Sequence, residues 1–312
     1  MRRCGRALRR WLTVGAGLLL VVGLALLWLG ARAPAGADGV SAPTTQSSAA
    51  PLAAGGSALL AVRTAGQLHD SRLPVLARSW LQDVRPTQQV VLFSDVDSVT
   101  AIAKKLDGVG AEVSRCGQAH THSVLCCRLA HEISVFLTTK HGWLCHFDDD
   151  NYVNTAALDA MLVSYNARQA WYLGRQHSAT YRPAGQTAPL RFATGGAGFC
   201  ISRAALLLAA KGLVGGQLES SCLRLGMPDD VALGFILWTS HRVRLTHINE
   251  FHSHLEQLSS IPTDSLQHQI SLSYSLERRP PNTVSVAGLD TQLDPTRFRS
   301  LHCMLHGSER CT

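Results

Sequence analysis

Three adjacent carboxylates, Asp148, Asp149 and Asp150, follow a largely apolar run that extends from Trp143 to Phe147. Such a run is typical of a buried strand, and the polar turn after it would place the carboxylates at the end of that strand. Carboxylates this close together repel one another, and removing them from water is costly unless a cation lies beside them. The pattern therefore predicts a divalent metal site, although aspartates after a strand also commonly form a solvated turn.

Two later stretches carry residues of similar chemical interest. Asp229 and Asp230 follow a proline and precede a helical pattern of leucine and isoleucine, and an aspartate at a helix start most often acts as a cap. His252 and His254 follow a strand-like stretch, so both would point the same way in an extended chain and only one would face a site in a turn. Because the chain holds 14 histidines, either one alone is weak evidence for a metal ligand.

Strand and helix patterns alternate around these residues. Short apolar runs predict strands, and apolar residues spaced three or four apart predict helices. The pattern predicts strands at 58–62, 90–93, 143–147, 171–173 and 243–246, and helices at 73–81, 101–106, after Asn154 and after Asp229. This alternation indicates an α/β fold.

The segment 194–198 concentrates glycine in the sequence Thr-Gly-Gly-Ala-Gly. Such a cluster indicates a backbone that lies close to a ligand or to another part of the chain. Its spacing differs from that of a dinucleotide-binding fingerprint, so the sequence does not predict a Rossmann cofactor.

Charge and hydropathy predict how the N-terminal part is organised. The formal net charge is +7, but five arginines within the first ten residues supply +5 of it, which leaves no basic face for nucleic acid. Residues 11–30 are uncharged and largely apolar, which predicts a transmembrane signal-anchor behind a cytosolic tail at 1–10; a cleaved signal peptide is the alternative. Residues 31–56, rich in Ala, Pro, Gly, Ser and Thr, predict a flexible stem before a folded domain at 57–312.

Nine cysteines in a chain with this predicted topology indicate an oxidising lumen and structural disulfides. An odd number leaves at least one cysteine unpaired. Cys4, on the predicted cytosolic side, is either a free thiol or a lipid-modified one.

Five motifs give the chain a specific resemblance. They are HFDDDNYVN (146–154), RFATGGAGFC (191–200), MPDD (227–230), FHSHLE (251–256) and DPTRFRSLHC (294–303). In order and rough spacing the chain resembles the Fringe β-1,3-N-acetylglucosaminyltransferases from about residue 58 to its end. The resemblance implies a GT-A domain with a central mixed sheet, in a single-pass type II protein of the Golgi membrane whose catalytic domain is lumenal. It also implies transfer of N-acetylglucosamine from UDP-GlcNAc to O-linked fucose on EGF-like repeats of Notch receptors.

The resemblance also implies roles for particular residues. Asp150 and His254 match the manganese ligands, Asp149 and Arg72 match residues that contact the donor, and Asp230 matches the catalytic base. A base and a metal without a nucleophilic carboxylate agree with an inverting displacement.

The same resemblance implies three disulfides. They are Cys116–Cys127, Cys145–Cys200 and Cys303–Cys311, and they leave Cys126 and Cys222 without a clear partner.

The chain departs from the family pattern at several positions. Leu190-Arg191 stands where a Phe-Trp pair is usual, Val231 where a cysteine is usual, and Arg128 where a lysine is usual. The segment 206–219 also differs from the family sequence. These departures leave two alternatives open: a lumenal pseudoenzyme that binds fucosylated EGF repeats, and a β-1,3-glycosyltransferase with another donor or acceptor.

Overall fold

The computed structural model describes residues 56–177 and 189–307. The strands in this part of the chain are β1 (Ala58–Arg63), β2 (Gln88–Ser94), β3 (Val109–Val113), β4 (Trp143–Asp148), β5 (Asn151–Val153), β6 (Tyr172–Gly174), β7 (Phe199–Ser202), β8 (Leu245–His247), β9 (Phe251–His252) and β10 (Ser271–Ser273). The α-helices are α1 (His69–Ala77), α2 (Ser98–Ala103), α3 (His122–Thr138), α4 (Thr155–Val163), α5 (Arg203–Leu213), α6 (Gln217–Leu225), α7 (Asp229–His241) and α8 (Phe298–His306).

Seven strands form a mixed sheet in the order β3-β2-β1-β4-β7-β6-β8. Strand β1 runs parallel to β2 and to β4, whereas β7 runs antiparallel to both of its neighbours. The parallel register places the end of β1 beside the end of β4, with Arg63 next to Asp148. The central mixed sheet agrees with the α/β fold expected from the sequence.

Helices cover both faces of this sheet, which explains why the central strand β1 is apolar without interruption from Ala58 to Val62. Alternate residues of β1 enter opposite cores, because side chains of a strand point to alternate faces. Leu60 packs with residues of α1, and Leu59 packs with residues of α3, α5, α6 and α7. The central strands are therefore fixed from two sides, and their carboxyl ends are held in place.

A smaller sheet lies beside the larger one and consists of β5, β10 and β9 in that order. Strand β10 is antiparallel to β5 and parallel to β9. Because β5 follows β4 after a two-residue turn, the small sheet begins where the predicted acidic site lies.

The secondary structure agrees with most of the sequence patterns, within a few residues at the ends. The amide side chain of Asn154 accepts a hydrogen bond from the backbone N–H of Ala157, which confirms the predicted cap of α4. The helix predicted at 101–106 begins and ends earlier, at Ser98–Ala103. The helix predicted at 73–81 is α1 followed by a separate 3-10 turn at Trp80–Asp83, because the backbone leaves the helical conformation at Ser79.

The predicted membrane topology has to be corrected. Among residues 56–177 and 189–307, no helix combines the length and apolar character that a bilayer crossing requires. The predicted span at 11–30, the tail before it and nearly all of the stem lie outside the described residues. The single-pass Golgi membrane location, which the family resemblance implied and which requires such a helix, is withdrawn.

Three disulfides join described residues: Cys116–Cys127, Cys145–Cys200 and Cys126–Cys222. The last one corrects the sequence interpretation, which left both cysteines without a partner; it ties α3 to α6. Cys303 is also disulfide-bonded, and its expected partner Cys311 lies outside the described residues.

Candidate active site

The carboxyl ends of β1 and β4 and the start of α7 open onto a pocket of about 870 Å³. Its walls include the five residues expected to bind the donor, bind the metal or accept a proton: Arg72, Asp149, Asp150, Asp230 and His254. The carboxyl edge of parallel strands is where open α/β sheets bind their ligands.

Asp149 is the most deeply buried carboxylate of the acidic turn, with 2% of its surface exposed. It accepts a hydrogen bond from the Thr64 hydroxyl at 2.7 Å and pairs with the Arg72 guanidinium at 2.5 Å. Burial raises the pKa of Asp149, and Arg72 acts in the opposite direction. Two partners hold this carboxylate in one orientation, so it is preorganised to receive a ligand.

Asp150 and His254 meet at one hydroxyl group, that of Ser273 at the end of β10. The Ser273 Oγ lies 3.0 Å from Asp150 Oδ1 and 3.1 Å from His254 Nδ1. Arg72 reaches the other carboxylate oxygen of Asp150 at 3.4 Å. Two residues more than a hundred positions apart in the chain are therefore brought together by the small sheet.

The chemistry of this pair fits a divalent cation. Burial, and next the charge of Asp148, raise the pKa of Asp150 to about 7, so a bound cation would relieve an electrostatic cost already present. Burial lowers the pKa of His254, which favours the neutral imidazole that can ligate a metal. Carboxylate oxygen and imidazole nitrogen together are ligands that Mn²⁺ and related cations accept.

The glycine cluster at 194–198 lies between Asp230 and His254. The Gly195 N–H donates to Asp230 Oδ2 at 3.1 Å, and a Cβ on Gly196 would lie 3.4 Å from the His254 ring. The Asn151 side-chain amide donates to the Gly196 carbonyl at 3.3 Å. This confirms the prediction that the cluster marks a close approach of the backbone to another part of the chain.

Asp230 is the second residue of α7, so it does not occupy the N-cap position that precedes the helix. Pro228 occupies the N-cap position and makes no side-chain cap bond, whereas Asp230 accepts from the N–H groups of Gly195 and Val231. Burial, and next the charge of Asp229, raise the pKa of Asp230 to about 6. A carboxylate with that pKa is ionised at neutral pH and is a good proton acceptor.

Arg63 is a pocket residue that the sequence analysis missed. Its guanidinium pairs with Asp148 at 3.1 Å and with Asp229 at 2.6 Å, which connects the end of β4 to the start of α7. Although burial opposes the charged form of Asp148, Arg63 and then His146 lower the pKa of that carboxyl. A charged residue directly after the apolar run 58–62 was the available signal.

Only one of the two candidate histidines faces the pocket. The chain leaves β9 after His252, whose ring nitrogens contact Glu256 at 3.1 Å and Gln269 at 2.7 Å. His254, two residues further along, lines the pocket. A turn over 253–256, in which the Glu256 N–H donates to the Ser253 carbonyl, therefore decides between the two arrangements that the sequence left open.

Comparison with known sequences settles the family. A sequence model described as Fringe, Fringe-like matches residues 56–309. The chain belongs to the Fringe family.

Named Fringe relatives match most of the chain. It is 37% identical over 255 residues to a Fringe glycosyltransferase from Drosophila melanogaster, a match that covers 79% of this chain and 61% of the relative. It is 37% identical over 283 residues to the Bos taurus β-1,3-N-acetylglucosaminyltransferase lunatic fringe, and 36% identical to that of Homo sapiens; both matches cover 88% of this chain and 72% of the relative. This Fringe chain thus spans less than two thirds of its Drosophila relative.

Solved structures give a weaker likeness. The glycosyltransferase GlyE of Streptococcus pneumoniae aligns with a TM-score of 0.38 at 8% identity, over 68% of this chain and 50% of that one. A likeness at this level carries no functional argument.

Proposed function

We propose that this Fringe-family protein is an inverting glycosyltransferase that moves N-acetylglucosamine from UDP-GlcNAc, in β-1,3 linkage, to O-linked fucose on EGF-like repeats such as those of Notch receptors. One observation carries the proposal: Asp230, Asp150 and His254 line the same pocket as Arg72 and Asp149. The bovine and human relatives are named β-1,3-N-acetylglucosaminyltransferases, and those names support the choice of sugar and linkage.

Donor binding uses the side of the pocket formed by α1 and the end of β4. Arg72 brings a positive charge to the place where a diphosphate would be held, and Asp149 offers oxygens that accept hydrogen bonds from the donor. Asp150 and His254 would hold a divalent cation, for which we propose Mn²⁺. When bound, such a cation supplies positive charge that stabilises the departing UDP.

Acceptor activation uses Asp230. As the fucose O3 forms its bond to the anomeric carbon, the bond from that carbon to the UDP oxygen breaks, and Asp230 takes the proton released by the hydroxyl. Attack from the face opposite UDP converts an α-linked donor into a β-linked product. A single displacement requires no covalent intermediate between sugar and enzyme.

Transfer to an O-fucosylated EGF repeat tests the proposal. We expect product from UDP-GlcNAc with Mn²⁺ and none after chelation. Asp230→Asn should lower kcat about 10² to 10⁴-fold, because removal of a general base costs about that much. It should retain UDP binding, since Asp230 is assigned to the acceptor side.

The matched control is Asp264→Asn, which makes the same change at an exposed carboxylate outside the pocket and should keep the parent rate. A kcat for Asp230→Asn within twofold of the parent value would remove Asp230 from its assigned role. UDP-GlcNAc binding without product on any fucosylated acceptor would overturn the proposed reaction itself.

A further inference from the structure

A second cluster of metal-ligating side chains lies away from the pocket. It consists of Asp83, in the turn before β2, and His302 and His306 of α8, none of which lines the pocket. The two histidines are four residues apart, so they lie on one face of the helix, and their ring centroids are 4.6 Å apart. Pairs of histidines at this spacing bind zinc in helical metal sites of other proteins.

The distances in this cluster suit a small tetrahedral cation. Asp83 Oδ2 lies 3.1 Å from His302 Nε2 and 3.6 Å from His306 Nδ1. Around a zinc ion with bonds of about 2.0–2.1 Å, tetrahedral ligand atoms are about 3.3–3.4 Å apart. One ligand atom from each of the three residues lies within 4.8 Å of the others, so small side-chain rotations complete the set.

A hydrogen bond behind the cluster orients one of its ligands. The Tyr152 hydroxyl lies 3.0 Å from His302 Nδ1, and His302 is fully buried. When the Nδ1–H donates to that hydroxyl, Nε2 carries the lone pair and is directed toward Asp83. Histidines that bind metals commonly have their second nitrogen fixed in this way.

We propose that Asp83, His302 and His306 form a binding site for a zinc-class divalent cation that joins α8 to the turn at Trp80–Asp83. Two imidazoles and one carboxylate are a ligand set that zinc accepts, with one position left for water. Without a cation, the Asp83 carboxylate contacts His302 Nε2 and His306 Nδ1 directly. The experiment must separate that direct contact from metal binding.

A cation here would support the pocket from a distance. Helix α8 begins with Phe298, whose ring packs edge-on against Tyr152 and Tyr274, with centroids 5.6 Å and 5.2 Å away. Tyr274 lines the pocket, and its backbone N–H donates to the Asp150 carbonyl. Metal bound between α8 and Asp83 therefore stabilises a helix on which one wall of the pocket rests.

Titration of the full chain with ZnCl2 after removal of metals by chelation tests the site. We expect the parent protein to bind one zinc ion more per chain than His306→Asn or Asp83→Asn, measured by calorimetry. Zinc at about hundredfold excess over Kd should raise the Tm of the parent by about 5–10 °C more than it raises the Tm of either variant. His306 and Asp83 have partly exposed side chains, at 27% and 22%, so both variants should fold.

The control is His268→Asn, which makes the same change at an exposed histidine and should bind zinc as the parent does. All of these variants keep Asp150 and His254. Any zinc bound in the pocket is therefore the same in each protein and cancels when their stoichiometries are compared. Equal zinc stoichiometry and equal Tm gain in His306→Asn and His268→Asn would overturn the proposal and leave only the direct contact between Asp83 and the two histidines.

Discussion

Replacing Arg63 with methionine tests whether the acidic wall of the pocket depends on one guanidinium. Arg63 is 11% exposed and contacts Asp148 at 3.1 Å and Asp229 at 2.6 Å. Methionine retains an apolar stem of similar reach but carries no charge. The substitution therefore leaves two carboxylates without their shared cation.

The expected loss follows from how deeply each carboxylate is buried. Removing one partner of a buried ion pair costs about 3–5 kcal/mol, because the other charge stays desolvated. The side chain of Asp229 is 10% exposed and meets that condition, whereas that of Asp148 is 28% exposed and keeps part of its hydration. We therefore expect a loss of about 3–4 kcal/mol in the free energy of unfolding, mostly from Asp229.

Urea unfolding at neutral pH with disulfides intact, followed by tryptophan fluorescence, measures this loss. Arg78→Met is the matched control, because Arg78 is exposed and the same change there should cost less than about 0.5 kcal/mol. Arg63→Lys should lose an intermediate amount of unfolding free energy, because a lysine supplies a point charge instead of the planar guanidinium that contacts both carboxylates.

Transfer activity gives a second measurement on the same variants. Arg63→Met should lower kcat as well, because Asp229 precedes the proposed base. If the free energy of unfolding of Arg63→Met is within about 0.5 kcal/mol of the parent value, the two carboxylates do not depend on Arg63 and the reasoning fails.

Three other predictions follow from single features. Because burial and Asp229 raise the pKa of Asp230 to about 6, the proposed base is protonated below that pH, and kcat should fall about tenfold per pH unit there; a flat profile down to pH 5 would contradict the assignment. Gly198→Ala should cost about 2–5 kcal/mol in unfolding experiments, since φ is +80° and a Cβ would lie 2.8 Å from the His146 carbonyl. Gly108→Ala, also at positive φ but with open space around it, should cost only about 1–2 kcal/mol, and equal losses would rule out the steric explanation. Replacing Cys126 and Cys222 with serine opens a loop that the intact Cys145–Cys200 bridge shortens from 96 to about 41 residues, and should cost about 3.9 kcal/mol by chain entropy. The 11-residue loop of Cys116 and Cys127 should cost about 2.8 kcal/mol, and the reverse order of denaturation midpoints would refute this.

The acidic part of the site could be located from the sequence because its signal is local. Asp148 to Asp150 directly follow a strand whose apolar run is continuous, and the strand end fixes where the carboxylates lie. Their convergence with His254 and Asp230 was expected only from the family resemblance. The structure brings these side chains to one pocket, while their individual roles stay predictions.

Features that depend on contacts between distant elements were missed. Arg63 pairs with Asp229 across 166 positions, and Cys126 pairs with Cys222 across 96, so neither partner is visible in a local pattern. Ser273 is one of many serines until β10 pairs with β5 and places its hydroxyl between Asp150 and His254. Periodicity predicts the strands themselves, but which strands become neighbours depends on packing of the whole domain.

The small sheet has a consequence for how the proposed activity can change. It positions Asp150 and His254, whereas Asp230 depends on α7, which packs against the large sheet. In the proposed reaction, nucleotide-sugar binding and hydroxyl activation therefore have separate structural supports within one domain. Under the proposed assignment, substitutions around β10 alter the residues proposed to hold the cation while Asp230 keeps its position on α7.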